Sequence, residues 1–154
     1  MRLWRICRER WAATAWDGEG ARLLGGRWNH RGERMVYAAG SLSLAVLETL
    51  VHVETTELPD DLVAVPASLP DSIEVEQWSV EKLSADWRRY PAPTALRDLG
   101  SDWLRSGRTC VLGVPSAIVP EESCFLLNPQ HPSLTALQPG EPRPFRFDAR
   151  LFGR

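Results

Sequence analysis

The sequence lacks most of the features that would assign it to a familiar catalytic or membrane class. No apolar run approaches the roughly 18 residues of a membrane span. Its three cysteines, Cys7, Cys110 and Cys124, are odd in number, widely spaced and form no C-x-x-C. That excludes a disulfide framework and a cysteine-based zinc site. The three histidines, His30, His52 and His131, have no metal-ligand spacing, so neither a metal nor a resident cofactor is expected. Neither a Walker A sequence nor G-x-G-x-x-G is present. The opening Met1-Arg2-Leu3-Trp4-Arg5-Ile6-Cys7 lacks the apolar region of a signal peptide, which makes a reducing cytoplasm the expected compartment. A formal net charge of −2 gives no global electrostatic case for nucleic acid or a membrane surface.

What is present is an ordinary globular composition. Hydrophobic residues make up 44% and charged residues 25% of 154, enough for one domain over residues 1–154 with a single core. Lysine is nearly absent: of 18 cationic residues all but Lys82 are arginine. Coding bias accounts for that; so would several anion contacts, because the guanidinium suits bidentate phosphate binding. Seven tryptophans stand out, with Trp11, Trp16 and Trp28 in expected loops, where exposed rings favour protein interfaces.

The pattern predicts a strand over residues 2–7, then an irregular, turn-rich segment over 17–32. Met35 to Ala39 reads as a short buried strand broken by Gly40. A helix capped by Ser41 or Ser43 follows, to about Val53, with apolar residues nearly all round and so packed on most sides. Asp61–Ala67 is a strand, and Ile73–Trp78 alternates like an edge strand. Thr94 caps a second helix through Ser106, ended by Gly107. Cys110–Val114, Phe125–Leu127 and Phe145–Phe147 complete the strands. Short strands and two helices without strict β-α-β alternation indicate α+β, a compact mixed sheet with a few helices.

The chemistry concentrates in Gly25-Gly26-Arg27-Trp28-Asn29, with Tyr37 ten residues after Arg27 and Glu48 eleven after Tyr37. Glycines admit close backbone approach to a ligand, and Arg27 can fork onto phosphate. A solvated Arg27 on a loop anchored by Trp28 fits the same residues. Tyr37 offers a ring face to a ligand or packs in the core with its hydroxyl bonded. Glu48 has Leu44, Ala45, Val51 and His52 at helical neighbour positions. Such a carboxylate needs a ligand or a partner, and His52 or an arginine would serve. Ser116 lies just past a strand end, without the G-x-S-x-G context or nearby histidine of a nucleophile. His131, in Asn128-Pro129-Gln130-His131-Pro132, reads as part of a rigid turn.

Five segments together resemble the RES domain: Gly25-Gly26-Arg27-Trp28-Asn29, Val36-Tyr37-Ala38-Ala39, Leu44-Ala45-Val46-Leu47-Glu48, Val114-Pro115-Ser116 and Leu127-Asn128-Pro129. The resemblance runs from about Leu3 to Phe147. It implies a fold similar to the ADP-ribosyltransferase toxins. It also implies the toxin role in a bacterial type II toxin–antitoxin pair, and a partner antitoxin with an Xre-type helix-turn-helix region. The implied activity is destruction of NAD by cleavage of the nicotinamide–ribose bond.

Carried onto this sequence, the resemblance assigns catalytic positions to Arg27, Tyr37, Glu48 and Ser116. It assigns substrate-binding positions to Arg5, Trp28, Asn29 and Cys124. The family usually has asparagine where this chain has Cys124, a departure that bears on substrate preference and rate. The acceptor stays open. Water would make a glycohydrolase, inorganic phosphate as co-substrate a phosphorylase, and a protein side chain an ADP-ribosyltransferase. An inactive nucleotide-binding module that only binds the antitoxin is the fourth reading.

Overall fold

Side-chain alternation along the first strand sets the layout. β1 (Arg2–Arg8) sends Leu3 to one face and Trp4 and Ile6 to the other. The computed structural model describes residues 1–53 and 59–152. In it β1 lies inside an eight-stranded sheet with β2 (Val36–Ala39), β3 (Leu62–Ser68), β4 (Val75–Gln77), β5 (Val111–Pro115) and β6 (Ser123–Leu127). Two-residue strands β7 (Gln138–Pro139) and β8 (Arg143–Pro144) both pair with β3. The order is β4-β5-β6-β2-β1-β3-β7. β4 and β5 run parallel; the other pairs are antiparallel. The parallel pair needs a long crossover, and the helix α3 (Thr94–Ser106) lies within it. This is the expected α+β class, with β4 on the expected edge.

β1 and β2 share a single register pair, Trp4 with Ala39, whereas β1 pairs with β3 from Arg2 to Arg8. The sheet therefore opens beside Tyr37, and the functional residues gather on the helical face of that opening.

That face carries the larger cluster: Trp28, Met35, Trp87, Leu96, Trp103, Leu104, Leu112, Val114 and Leu126. α3 contributes Leu96, Gly100, Ser101, Trp103 and Leu104 at helical spacing. A second helix, α2 (Leu42–Leu50), covers Ala39 with Leu44 and Ala45. The opposite face holds Leu3, Val36, Ala38, Val111 and Leu127, packed with Leu134 of the 3-10 segment Pro132–Ala136. Among the described residues no helix is long and apolar enough to cross a membrane.

Several sequence expectations need correction. Residues 19–24 form a short helix, α1 (Glu19–Leu24), rather than irregular turns. The Asp17 carboxylate accepts from Glu19 N at 2.8 Å, and Arg22 pairs with Glu19. α2 is capped by Ser41, whose hydroxyl accepts from Leu44 N, but it ends at Leu50. It buries only Leu44 and Ala45 and leaves Val51 60% exposed, so it is not packed on most sides. Thr94 lies inside α3 after Pro93 and makes no side-chain cap. Phe145 and Phe147 form no strand; with Phe152 they make an edge-to-face aromatic chain.

Gly100 fixes how closely α3 approaches the loop before β2. A Cβ there would lie 1.9 Å from the Trp28 carbonyl oxygen and 2.8 Å from its carbon. Alanine would gain up to about 1 kcal/mol in helix propensity, but it meets backbone that cannot swing aside. Gly100→Ala is therefore expected to destabilise the protein by about 1–3 kcal/mol, the range for overpacking. A melting curve on a par with the parent would show that the loop yields.

Candidate active site

The loop that carries Arg27 is held from the sheet. The Tyr37 hydroxyl donates to Asn29 Oδ1 at 2.7 Å and accepts from Trp28 N at 3.0 Å. Asn29 is fully buried, and its amide nitrogen lies within 3.2 Å of the Ala21, His30 and Glu33 carbonyls. Residue 26 must be glycine, because a Cβ there would fall 2.4 Å from the Tyr37 hydroxyl. Burial pushes the Tyr37 phenol well above its ordinary range, against the opposing pull of the Trp28 amide and of Arg27 and Arg97. It stays protonated and keeps its bond to Asn29. Below the loop, Ser101 of α3 donates to Glu33, whose carboxylate also accepts from His30 N.

Glu48 faces this loop from α2. Its Oε1 accepts from Ser116 Oγ at 2.7 Å and from Cys124 Sγ at 3.2 Å. The serine is aimed by its own turn: Ser116 Oγ accepts from Ile118 N at 3.1 Å and Val119 N at 3.0 Å. Two amides on the oxygen direct its one hydrogen at Glu48. Burial pushes the Cys124 thiol well up, with the Glu48 charge adding to the effect, so at neutral pH it remains a donor. Among the described residues Glu48 Oε2 has no hydrogen-bond partner.

Arg27 reaches into the same space. Its half-buried guanidinium is pulled down by desolvation, while Glu48 and then Tyr37 raise it. It remains charged. Nη1 donates to the Trp87 carbonyl at 2.7 Å and the Arg89 carbonyl at 3.2 Å. Arg88 bonds the Ala117 carbonyl at 2.9 Å, next to Ser116. The 87–89 segment thus straps the arginine wall of the cleft to the serine wall.

Arg27, Tyr37, Glu48, Ser116 and Cys124 are brought together. The other three expected site residues are not. Arg5 leaves β1 on the face of Leu3 and Cys7, with Trp16 beside it, and donates to the Tyr37 carbonyl. It bridges β1 to β2 where their ladder fails, behind the cluster. Trp28 is 3% exposed and packs edge-to-face on Trp78 with ring centroids 5.9 Å apart. It anchors the loop in the core and is not the exposed interface ring expected from the sequence. Asn29 has no exposed surface and spends its amide on the loop. Glu48 pairs with neither His52, which is exposed, nor an arginine. His131 is part of a turn, its Nδ1 accepting from Ser133 N. The sequence reading missed Arg97, whose Nε donates to the Gly26 carbonyl at 3.1 Å, and the 87–89 strap. A glycine between Leu96 and Trp103 in an apolar helix face signals close approach, and Arg97 lies one turn before it; the strap has no such signal.

This geometry offers one carboxylate whose Oε2 is unpaired among the described residues and a guanidinium close enough to feel its charge. It suits a ligand that carries an anion at one end and develops positive charge at the other. Among the described residues Glu48 is the one carboxylate bonded to Ser116 and Cys124, an arrangement unlike a bonded carboxylate pair for acid–base work.

Comparison with known proteins places the chain in a family. The family model described as RES domain matches residues 2–148. The protein named Toxin Res from Yersinia enterocolitica is 40% identical over 156 residues, covering 98% of this chain and 99% of its own length. A Sphingobium protein named Prs ADP-ribosylating toxin is 39% identical over 152 residues, covering 96% and 94%. Among solved structures, the M. tuberculosis MbcT–MbcA toxin–antitoxin complex contains a chain that superposes with a TM-score of 0.74 at 17% identity, covering 94% of this chain and 83% of that one. At that identity the likeness is one of fold.

The two donors on Glu48 differ in weight. Ser116→Ala strips a bond from the carboxylate and from two backbone amides, and an expected loss of about 1–3 kcal/mol follows from leaving those groups short of partners. Cys124→Ala removes one weak thiol donor, so its melting temperature should fall by clearly less. Equal losses would mean that the thiol and the hydroxyl share the carboxylate evenly.

Proposed function

Because the chain belongs to the RES domain family, we propose that it is the toxin of a toxin–antitoxin pair and acts by cleaving the nicotinamide–ribose bond of NAD. The observation that carries this reading is the Glu48 carboxylate, held on Oε1 by Ser116 and Cys124 with Oε2 free, facing Arg27 across the cleft. The names of the relatives from Yersinia and Photorhabdus, both Toxin Res, support the toxin role.

In this mechanism Arg27 holds the pyrophosphate through its unused guanidinium edge. The half-buried Tyr37 ring flanks the nicotinamide. As the N-glycosidic bond breaks, its electron pair goes to the nicotinamide nitrogen and positive charge grows on the ribose. Glu48 stabilises that charge and accepts from the ribose hydroxyls. Nicotinamide departs neutral, so no general acid is required, which fits a single carboxylate. Ser116 acts by fixing Glu48. Water as acceptor yields ADP-ribose and a proton; inorganic phosphate yields the corresponding phosphorylated sugar. Transfer to a protein side chain is the second reading, favoured by the relative named as an ADP-ribosylating toxin.

The partner in this reading is an antitoxin with an Xre-type helix-turn-helix region that covers the cleft in the cytoplasm. The solved neighbour named as a toxin–antitoxin complex supports pairing of this kind.

Incubating the protein with NAD, with and without phosphate, and identifying products by mass tests the reaction and separates the acceptors. Glu48→Gln is expected to keep the fold and lose turnover by roughly 10²-fold or more, the scale of removing one electrostatic stabiliser. Full activity in that variant would end the mechanism. Expression of the chain alone should arrest growth, and co-expression of the antitoxin should restore it; harmless high-level expression would favour an inactive binding module instead.

A further inference from the structure

Arg97 bonds the carbonyl of Gly26, the residue before Arg27. It lies in the first turn of α3, where the helix dipole adds positive potential. Its side chain is half-buried, and Nε is fixed on the Gly26 carbonyl at 3.1 Å. Among the described residues its two terminal nitrogens have no hydrogen bond, and it forms no ion pair. Arg27 is in the same condition: one terminal nitrogen is anchored on the Trp87 and Arg89 carbonyls, and among the described residues no carboxylate lies within ion-pair distance. Most other half-buried charges here are matched, as Arg22 and Arg34 are by Glu19. Gly26 between the two arginines has no side chain, and the Tyr37 hydroxyl fills the space where a Cβ would be. Both arginines bear on that hydroxyl.

We propose that Arg97 is a second phosphate-binding residue of this cleft, pairing with Arg27 across the bare Gly26 backbone so that each guanidinium takes one phosphoryl group. The anchoring leaves complementary edges. Arg97, held by Nε, presents its two terminal nitrogens end-on. Arg27, held by Nη1, presents Nε and Nη2 side-on. Either pair can fork onto two oxygens of one phosphoryl group. Two uncompensated cations beside one glycine repel each other until an anion joins them. A dinucleotide's pyrophosphate supplies one phosphoryl per arginine. An inorganic phosphate co-substrate has the same chemistry and would occupy Arg97 alone. The inference rests on the reading of the cleft as an NAD site and extends it to a residue outside the family's motif positions.

The test uses Arg97→Gln and Arg97→Lys in the full chain. Lysine keeps the charge and a bond to Gly26 but loses the fork, so it serves if glutamine disturbs folding. Binding of inorganic pyrophosphate and of ADP-ribose is followed by tryptophan fluorescence. Turnover is followed with NAD and with nicotinamide mononucleotide, which carries one phosphoryl group. If Arg97 takes the second phosphoryl group, both ligands weaken by about 10- to 100-fold and KM for NAD rises alike, the scale of losing charge-assisted bonds. kcat and the mononucleotide then change little. If it takes the co-substrate, KM for inorganic phosphate rises instead while ADP-ribose binding holds, which keeps Arg97 as a phosphate ligand and names the source. Unchanged pyrophosphate, NAD and phosphate parameters in both variants overturn the proposal. A parent protein that binds pyrophosphate, in an Arg97-dependent way, yet cleaves no NAD would sink the activity and leave this assignment standing.

Discussion

The arginine side of the cleft hangs on the hydroxyl of Tyr37. A two-glycine loop has little side-chain packing of its own, and each glycine adds conformational entropy that folding must overcome. Here the phenol donates to Asn29 and accepts from Trp28 N, while the two N–H groups of the Asn29 amide are shared among the carbonyls of Ala21 in α1, His30 and Glu33. Trp28 and Asn29 are buried, Tyr37 is half-buried and each is bonded, so losing one leaves the others short of a partner. Burial keeps the phenol protonated and the network intact. The Trp28 ring locks into the core one residue beyond Arg27, and Gly100 lets α3 close against its backbone. Arg27 therefore projects from a fixed backbone, and only its side chain is left to adapt.

The carboxylate side follows the same logic with fewer parts. Ser116 is buried to 1% exposure, and its turn amides leave its hydrogen one direction to point. That converts a residue past a strand end into an orienter of Glu48 on a different helix. Cys124 reaches the same oxygen from the neighbouring strand β6, which pairs Cys124 with Val114 of β5, two residues before Ser116. Where the family's usual asparagine would bring an amide, this chain brings a thiol held in its protonated, donating form.

How far the sequence spoke for itself depended on whether a feature was local. The α3 limits and the edge placement of β4 were legible because apolar spacing and Gly107 are short-range signals. Arg27, Tyr37, Glu48 and Ser116 were legible through motif order, and they do converge. Three other motif residues lie apart from them. Arg5, Trp28 and Asn29 sit in the same motifs, and motif membership does not say whether a side chain faces the cleft or holds it from behind. Alternation along β1 puts Arg5 with Leu3, a parity visible in the sequence; the burial of Trp28 and Asn29 depends on α3 arriving from seventy residues away in the chain. α2 looked packed all round because its residues are apolar. The sheet covers only the Leu44 and Ala45 side of it.

One consequence of the strap joins both sides. The Arg27 guanidinium binds the carbonyls of Trp87 and Arg89, and Arg88 between them binds the carbonyls of Ala117 and Ile118. Ile118 N in turn bonds the Ser116 hydroxyl that holds Glu48. A continuous chain of hydrogen bonds thus runs from the anion-facing arginine to the carboxylate, outside the sheet and along the rim of the cleft. Trp87 anchors it in the core at 4% exposure, while Arg88 and Arg89 lie at the surface. An anion that draws Arg27 toward itself competes directly with the strap carbonyls. The same pull acts, through Arg88, on the turn that aims Ser116. In such an arrangement the positions of the Arg27 guanidinium and of the Glu48 carboxylate are coupled through a segment that bonds to both walls.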